Sequence, residues 1–246
     1  MCDGGFARLS YSPIEDSVEE AARSYAEAFY LCSYGYPDTL VMVIGTNNFG
    51  DYYLDTQSRI EWANMVNRVN SWLVNQRYFY RVQAVGGSDM EIKYNSFAIT
   101  SDWVEGYEST NNYLLYDFGD AQGCPSERSN YNGYCDNQWY QSDVWDISHN
   151  GSREAFPLIY NEWGTNAMQW YGLSAYSFIF HNELMPITGS VTQHQACLDG
   201  RSGCTGTDNE PHEGYNQLWH WLNQDPDTAH TPRWSTDFRH YIDIPQ

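Results

Sequence analysis

Positive charge is scarce in this chain. Lys93 is the only lysine, and 12 lysines and arginines face 32 aspartates and glutamates, for a formal net charge of −20. A surface this acidic repels phosphate backbones and anionic lipid head groups. We therefore expect no nucleic acid and no membrane surface as a partner, and a partner that is neutral or cationic instead.

Long apolar runs are missing as well. No stretch approaches the roughly 18 residues that a bilayer-spanning helix needs, so membrane insertion is not expected. No hydrophobic signal segment precedes Cys2, which indicates a signal that was removed or was never present. Aromatic residues are abundant, with 21 Tyr, 10 Trp and 10 Phe, and this excludes a disordered chain. Since no linker divides it, we expect one domain over residues 1–246.

Several catalytic motifs are also absent. The chain has no Cys-x-x-Cys or His-x-x-x-His spacing, no His-Glu-x-x-His, no Gly-x-Ser-x-Gly and no phosphate-cradling glycine loop. These absences argue against zinc, nucleophilic-serine and nucleotide chemistry. The segment 207–210 could hold calcium, but its spacing is not that of an EF-hand and a plain surface loop fits better. We expect no metal and no cofactor.

The six cysteines fall into neighbouring pairs, and the last two pairs each bracket a loop rich in glycine, asparagine and serine. Such loops gain stability from a local disulfide. The spacing predicts three bridges: Cys2–Cys32, Cys124–Cys135 and Cys197–Cys204. Disulfides indicate an oxidising compartment and hence a secreted protein. Buried free thiols are the alternative.

Strand and helix patterns alternate along the chain. A capping box with proline at the first helical position opens a helix at residues 12–15. Strands are predicted at 6–11, 39–45, 78–85, 113–120, 143–148, 156–160 and about 186–195, and further helices at about 62–73, from about 100, at 165–174 and at 213–222. This order predicts an α/β fold, and the strand count favours a (β/α) TIM-type barrel, complete or irregular, over an open doubly wound sheet. Residues 225–246 are expected to form an irregular tail.

The leading candidate for chemistry is the segment 86–91, Gly-Gly-Ser-Asp-Met-Glu. If the strand runs through it, Asp89 and Glu91 project from the same face, in line with Val85 and Gly87. Two carboxylates held side by side repel each other, so one tends to keep its proton while the other stays ionised. That division suits an acid and a charge stabiliser in glycosidic cleavage. A solvated acidic loop is the alternative interpretation.

A second acidic segment, Asp117-Phe118-Gly119-Asp120, ends the next predicted strand. Because the carboxyl ends of parallel strands share one edge, these acids should join the first pair. Asp120 is expected to support catalysis, whereas Asp117 could bind substrate or cap the following turn. Aromatic rings stack on sugar C–H faces. The predicted substrate contacts at loop ends are Trp103, Tyr116, Trp145 and Trp163.

These segments, together with Ile44-Gly45-Thr46-Asn47-Asn48, resemble secreted and mostly uncharacterised bacterial proteins that are similar to glycoside-hydrolase-like barrels. Muramidase-like barrels carry an Asp-x-Glu at a strand end, and chitinase-like barrels carry Asp-x-Asp-x-Glu after a glycine. The resemblance implies that Glu91 is the general acid and that Asp89 orients or stabilises the intermediate. The chain departs from the chitinase pattern at Gly87, where an acid would stand.

Two functions remain open from the sequence. One is a secreted glycosidase with Glu91 as acid, Asp89 as stabiliser and Asp120 as a supporting carboxylate, acting on a polysaccharide. The other is a non-catalytic glycan-binding or surface-assembly protein on the same scaffold, because one fold hosts many functions. Convergence of the carboxyl groups in one aromatic-lined cleft would favour the enzyme.

Overall fold

Helices and parallel strands alternate along almost the whole chain. The computed structural model describes residues 14–33, 35–50, 56–111 and 113–237. The helices are α1 (Ile14–Cys32), α2 (Thr56–Asn75), α3 (Phe97–Thr110), α4 (Gln141–His149), α5 (Thr165–His181), α6 (His194–Leu198) and α7 (Pro211–Leu222). The strands are β1 (Leu40–Asn47), β2 (Val82–Asp89), β3 (Leu115–Asp117), β4 (Arg153–Ala155), β5 (Gly189–Thr192) and β6 (Trp234–Asp237).

The strands follow one another in space as they do in sequence. β1, β2, β3 and β4 form a parallel sheet in that order, and β5 pairs in parallel with β6. Two parallel bridges, Ala155 with Ile187 and Leu158 with Val191, connect the two sheets. The α/β class and the parallel sheet are thus confirmed. Closure into a barrel is not seen in the described ranges, and the predicted strand 6–11 lies outside them.

The sheet separates two apolar clusters. The larger cluster packs strand residues such as Ile44, Ala84 and Leu115 against α1, α2, α3, α4, α5 and α7. The smaller cluster lies on the opposite face and contains Val85, Tyr116, Phe156, Leu158 and Val191. Side chains alternate along a strand, so β2 contributes Ala84 to the first cluster and Val85 to the second. The second face is the one that leads to the predicted site.

Glycines let the strands approach closely on this second face. A Cβ added to Gly87 would lie 2.6 Å from both Phe118 Cε2 and Val43 Cγ1. The side chain of any other residue would therefore displace its neighbours. Because Gly87 faces the smaller cluster, Asp89, two residues later, projects from that same face at the carboxyl end of β2.

The structure corrects three element predictions. Residues 143–148 belong to α4 rather than to a strand, and Asp143 caps the start of that helix by accepting the Tyr140 N–H at 2.8 Å. No strand is assigned at 156–160, where Pro157 lacks an N–H for the ladder, although Leu158 still donates to the Gly119 carbonyl at 3.1 Å. The supposed irregular tail contains β6.

Two of the three predicted disulfides are confirmed, Cys124–Cys135 and Cys197–Cys204. The pairing of Cys2 with Cys32 lies outside the described residues because Cys2 does, and Cys32 is exposed at the end of α1. Both confirmed bridges staple loops that follow the carboxyl ends of strands, β3 and β5. None of the helices that the structure describes is long and apolar enough to cross a membrane.

Candidate functional site

Four carboxyl groups gather at the carboxyl ends of β2 and β3. The two strands pair in parallel with Ser88 opposite Asp117, so Asp89 and Glu91 lie beside the segment 117–120. The charges of Glu91, Asp117 and Asp120 all act on Asp89. The structure therefore brings the three predicted catalytic residues together, with Asp117 next to them.

The surroundings of Asp89 disfavour its charged form. Burial, and then the neighbouring charge of Glu91, raise its pKa well above the ordinary value for an aspartate. Its Oδ1 is buried and has no hydrogen-bond partner among the described residues. A buried carboxylate oxygen without a donor is costly, so this oxygen favours either a proton or a ligand that donates to it.

Glu91 lies two residues later and is partly exposed. Burial and then the charge of Asp120 raise its pKa, while a hydrogen bond donated by the phenol of Tyr94 and the charge of Arg201 act in the opposite direction. Both carboxyls thus have raised pKa values. The charge of Glu91 is itself a cause of the raised pKa of Asp89, so the two neighbouring carboxyls favour a state in which the pair retains a proton.

The backbone of Glu91 is held from both sides. Asn48, at the end of β1, is fully buried; its Nδ2 donates to the Glu91 carbonyl at 3.1 Å and its Oδ1 accepts the Glu91 N–H at 3.0 Å. From the β3 side, Oδ1 of Asp120 accepts the Ile92 N–H at 3.1 Å. These bonds fix the position from which the Glu91 side chain leaves the chain.

Asp120 therefore has a supporting position. Burial raises its pKa, whereas the N–H groups of Ile92 and Gln122 stabilise the charged form. Its carboxylate orients the segment that carries Glu91, and its charge raises the pKa of Glu91. Asp120 thus holds the segment that carries Glu91, and its supporting role in catalysis stays a prediction.

Asp117 contacts α4 and caps its own turn. Oδ1 accepts the Gly119 N–H at 2.7 Å, and Oδ2 accepts the hydroxyl of Ser148 on α4. The side chain is only 2% exposed, and burial raises its pKa to about 7. The structure thus favours the turn-capping alternative for Asp117 over the substrate contact.

The predicted aromatic contacts divide by burial. Trp103 lies within α3 at 1% exposure and stacks on Tyr107, and Trp145 lies within α4 and stacks on His181 at a centroid distance of 3.7 Å. Their expected position at loop ends is therefore corrected, because both fill space between core elements. Tyr116 is buried in the smaller cluster. Trp163 is 73% exposed.

Sequence reasoning missed other residues at this end of the sheet. Phe49 is 67% exposed and packs edge-on against Tyr94 with centroids 5.0 Å apart. Tyr160 follows β4 and hydrogen-bonds with Arg201, whose charge acts on Asp89 and Glu91. The only available signal was position near the end of a predicted strand: Phe49 follows the predicted strand 39–45, and Tyr160 ends the predicted strand 156–160.

Metal binding receives no support from the segment 207–210. Within the residues that the structure describes, no group of three or more His, Cys, Asp or Glu side chains could hold a metal ion. Asp208 instead hydrogen-bonds with Glu162, which raises the pKa of Glu162. This pair belongs to a groove beside α7 that also contains His194 and Glu213.

Comparison of the chain with protein-family models, with curated proteins and with solved structures finds no match.

Proposed function

We propose that the protein is a glycoside hydrolase in which Asp89 and Glu91 form a proton-holding pair and Glu91 delivers the proton to the glycosidic oxygen. The observation that carries this proposal is the convergence of Asp89, Glu91 and Asp120 at the carboxyl end of a parallel sheet. All three have pKa values raised by burial. Strand ends of this kind are where α/β enzymes position catalytic groups.

Glycosidic cleavage needs a carboxyl that is still protonated near neutral pH and a second carboxyl that faces the developing positive charge. Two like charges in one site cannot both ionise at their ordinary pKa, so the pair retains a proton. Glu91 is the natural donor because its side chain is partly exposed and its backbone is fixed by Asn48. As the proton passes to the glycosidic oxygen, the bond from that oxygen to the anomeric carbon breaks and the leaving sugar departs as an alcohol. The negative charge that develops on the pair stabilises the oxocarbenium-like transition state, and a water molecule then adds to the anomeric carbon and returns a proton to the pair.

The aromatic surroundings support a sugar ligand. Tyr94 contacts Glu91, Phe49 packs against Tyr94, and both rings are at least one third exposed. A pyranose ring presents C–H faces that stack on such rings. Since acids outnumber cations at the site and over the chain, the proposed substrate is a neutral or cationic polysaccharide.

Two further parts of the proposal concern the scaffold and its location. The sequential order of six parallel strands, with helices on one face and a separate apolar cluster on the other, supports a TIM-type barrel whose interior contains Val85 and Tyr116. The two disulfides support an extracellular protein, because such bridges persist in oxidising compartments.

The test is the release of reducing ends from a panel of neutral and amino-sugar polymers. The native chain, Glu91→Gln and a matched control, Glu61→Gln, are compared under identical conditions. Glu61 is exposed on α2, so the control makes the same chemical change away from the site. We expect cleavage of at least one polymer, a loss of about 100-fold or more in Glu91→Gln, and unchanged activity in Glu61→Gln.

Two outcomes would contradict the proposal. Equal activity of Glu91→Gln and the native chain would remove Glu91 as the acid. Binding of a polymer without cleavage, at every pH tested between about 4 and 8, would favour the non-catalytic glycan-binding protein.

A further inference from the structure

A disulfide-closed loop brings a cation to the acidic end of the sheet. The loop follows β5 and α6 and is closed by Cys197–Cys204, with Arg201 between the two cysteines. The Arg201 N–H donates to the Ala196 carbonyl at 2.9 Å, which folds the loop back onto α6. β5 runs parallel to its neighbours, so the loop after it lies at the same edge as Asp89.

A second fastening closes the base of this loop. Gln193 is buried, and its Nε2 donates to the Thr207 carbonyl at 2.7 Å and to Thr207 Oγ1 at 2.9 Å. The Thr207 hydroxyl donates in turn to the Gly203 carbonyl at 2.9 Å. The base of the loop is therefore fixed by hydrogen bonds, and the disulfide fixes the part that carries Arg201.

Arg201 interacts with the site in two ways, by a hydrogen bond and by its charge. Its guanidinium hydrogen-bonds with the hydroxyl of Tyr160, and its positive charge acts on Asp89, Glu91 and Tyr94. The second cation at this end, Lys93, is exposed and lies 3.9 Å from Asp136. The charge of Arg201 lowers the pKa of Asp89, the acid whose Oδ1 has no hydrogen-bond partner among the described residues.

We propose that Arg201 is a positioning residue of the site: it holds the hydroxyl of Tyr160 and supplies the positive charge that faces Asp89 and Glu91, and the Cys197–Cys204 disulfide keeps it there. Its consequence for catalysis rests on the proposed hydrolase function. Its consequence for the ionisation of the two acids does not.

The physical role follows from the charge balance. The titratable groups that act on Asp89 or Glu91 come from four strand ends. They are Asp89 itself at the end of β2 with Glu91, Lys93 and Tyr94 after it, Asp117 at the end of β3 with Asp120 after it, Tyr160 after β4, and Arg201 after β5. The acids and burial in this set favour protonation. A cation opposite them lets the pair release one proton of two, and so reach the singly protonated state that cleavage needs.

The first test is the carboxyl titration of the full chain by carbon-13 NMR, with Asp89→Asn and Glu91→Gln assigning the two signals. We expect Arg201→Gln to move both titration midpoints to higher pH, because a stabilising charge is lost. Arg201→Lys keeps the charge, so its titration midpoints should lie close to those of the native chain. Arg77→Gln is the matched control, since Arg77 is exposed beyond α2 at the opposite edge of the sheet. Unmoved midpoints in Arg201→Gln would overturn the proposal.

The second test concerns the disulfide. The double variant Cys197→Ala, Cys204→Ala leaves Cys124–Cys135 intact and releases the upper part of the loop. We expect its carboxyl midpoints to move upward as in Arg201→Gln, because Arg201 is no longer held over the acids. Midpoints equal to those of the native chain would overturn the role of the disulfide. If Arg201→Gln does not fold, Arg201→Met removes the same charge and replaces it.

Kinetics connect the inference to the proposed function. On a polymer that the native chain cleaves, Arg201→Gln should lower kcat about tenfold and shift the acidic limb of the pH profile upward with the carboxyl midpoints. The two failures can be told apart. A native chain that cleaves nothing while Arg201→Gln still moves the midpoints contradicts the hydrolase alone, whereas cleavage with unmoved midpoints contradicts only the role of Arg201.

Discussion

Asp117→Asn should make the stability of this protein less dependent on pH. In the native chain Asp117 is buried against α4, and its pKa is raised to about 7. A carboxyl whose pKa is higher in the folded state than in the unfolded chain stabilises the fold while it is protonated. That stabilisation is lost as the pH rises through the folded-state value.

The size of the effect follows from the two pKa values. With an unfolded pKa of about 3.9 and a folded pKa of about 7, the linkage relation gives a loss of about 2–3 kcal/mol in the free energy of unfolding between pH 5 and pH 8. Asparagine has nearly the same shape and can still accept the Gly119 N–H, but it does not ionise. The variant should therefore lack this part of the decline.

Guanidinium unfolding at pH 5 and pH 8, followed by tryptophan fluorescence, measures the decline directly. Asp38→Asn is the matched control, because Asp38 is exposed in the loop before β1, and it should decline like the native chain. If Asp117→Asn and the native chain lose the same stability between the two pH values, the burial argument for Asp117 is refuted.

Two further substitutions test the backbone contacts around Glu91. Gly119→Ala should destabilise the fold by about 1–3 kcal/mol, because the new Cβ would lie 2.2 Å from the Met90 carbonyl oxygen. Gly45→Ala is its control and should change the melting temperature little, because the nearest atoms to its new Cβ lie at 3.7 Å. Equal melting temperatures of the two variants would contradict the close approach of Gly119 to Met90. Asn48→Ala should cost about 1–3 kcal/mol and lower activity, because it leaves the part-buried N–H and carbonyl of Glu91 without their side-chain partner. Asn64→Ala is its control, because Asn64 is exposed on α2. If the Asn48→Ala protein is as stable and as active as this control, the role of the hydrogen bonds between Asn48 and the Glu91 backbone is refuted.

Periodicity was sufficient to predict the class of fold. The helical stripe from Trp62 to Leu73 and the β-branched run before Gly45 lie in α2 and β1. Periodicity failed where elements are short. The stretch 143–148 is apolar enough for a strand, but its nine-residue helix is decided by the Asp143 cap and by packing of Trp145 against α5. Polar β6 showed no alternation to detect.

The acids of the candidate site could be predicted from the sequence, but the residues that hold them in place could not. Asp89 and Glu91 could be found because they follow a strand at spacing two, and alternation placed them on one face. The role of Asn48 depends on a contact with Glu91, 43 residues later in the chain. The role of Arg201 depends on the conformation of a loop that a disulfide closes. The burial of Trp103 likewise depends on the helix that contains it, which was predicted to start only at about residue 100.

The most direct test of the central claim compares leaving groups in the native chain and Glu91→Gln. Aryl glycosides of the sugar identified by the polymer panel are hydrolysed with leaving phenols of low and high pKa. A general acid matters most when the leaving oxygen is basic. If Glu91 donates the proton, Glu91→Gln should keep most of its activity on the dinitrophenyl glycoside and lose about 100-fold or more on the unsubstituted phenyl glycoside. Equal losses on both substrates would show that Glu91 is not the acid.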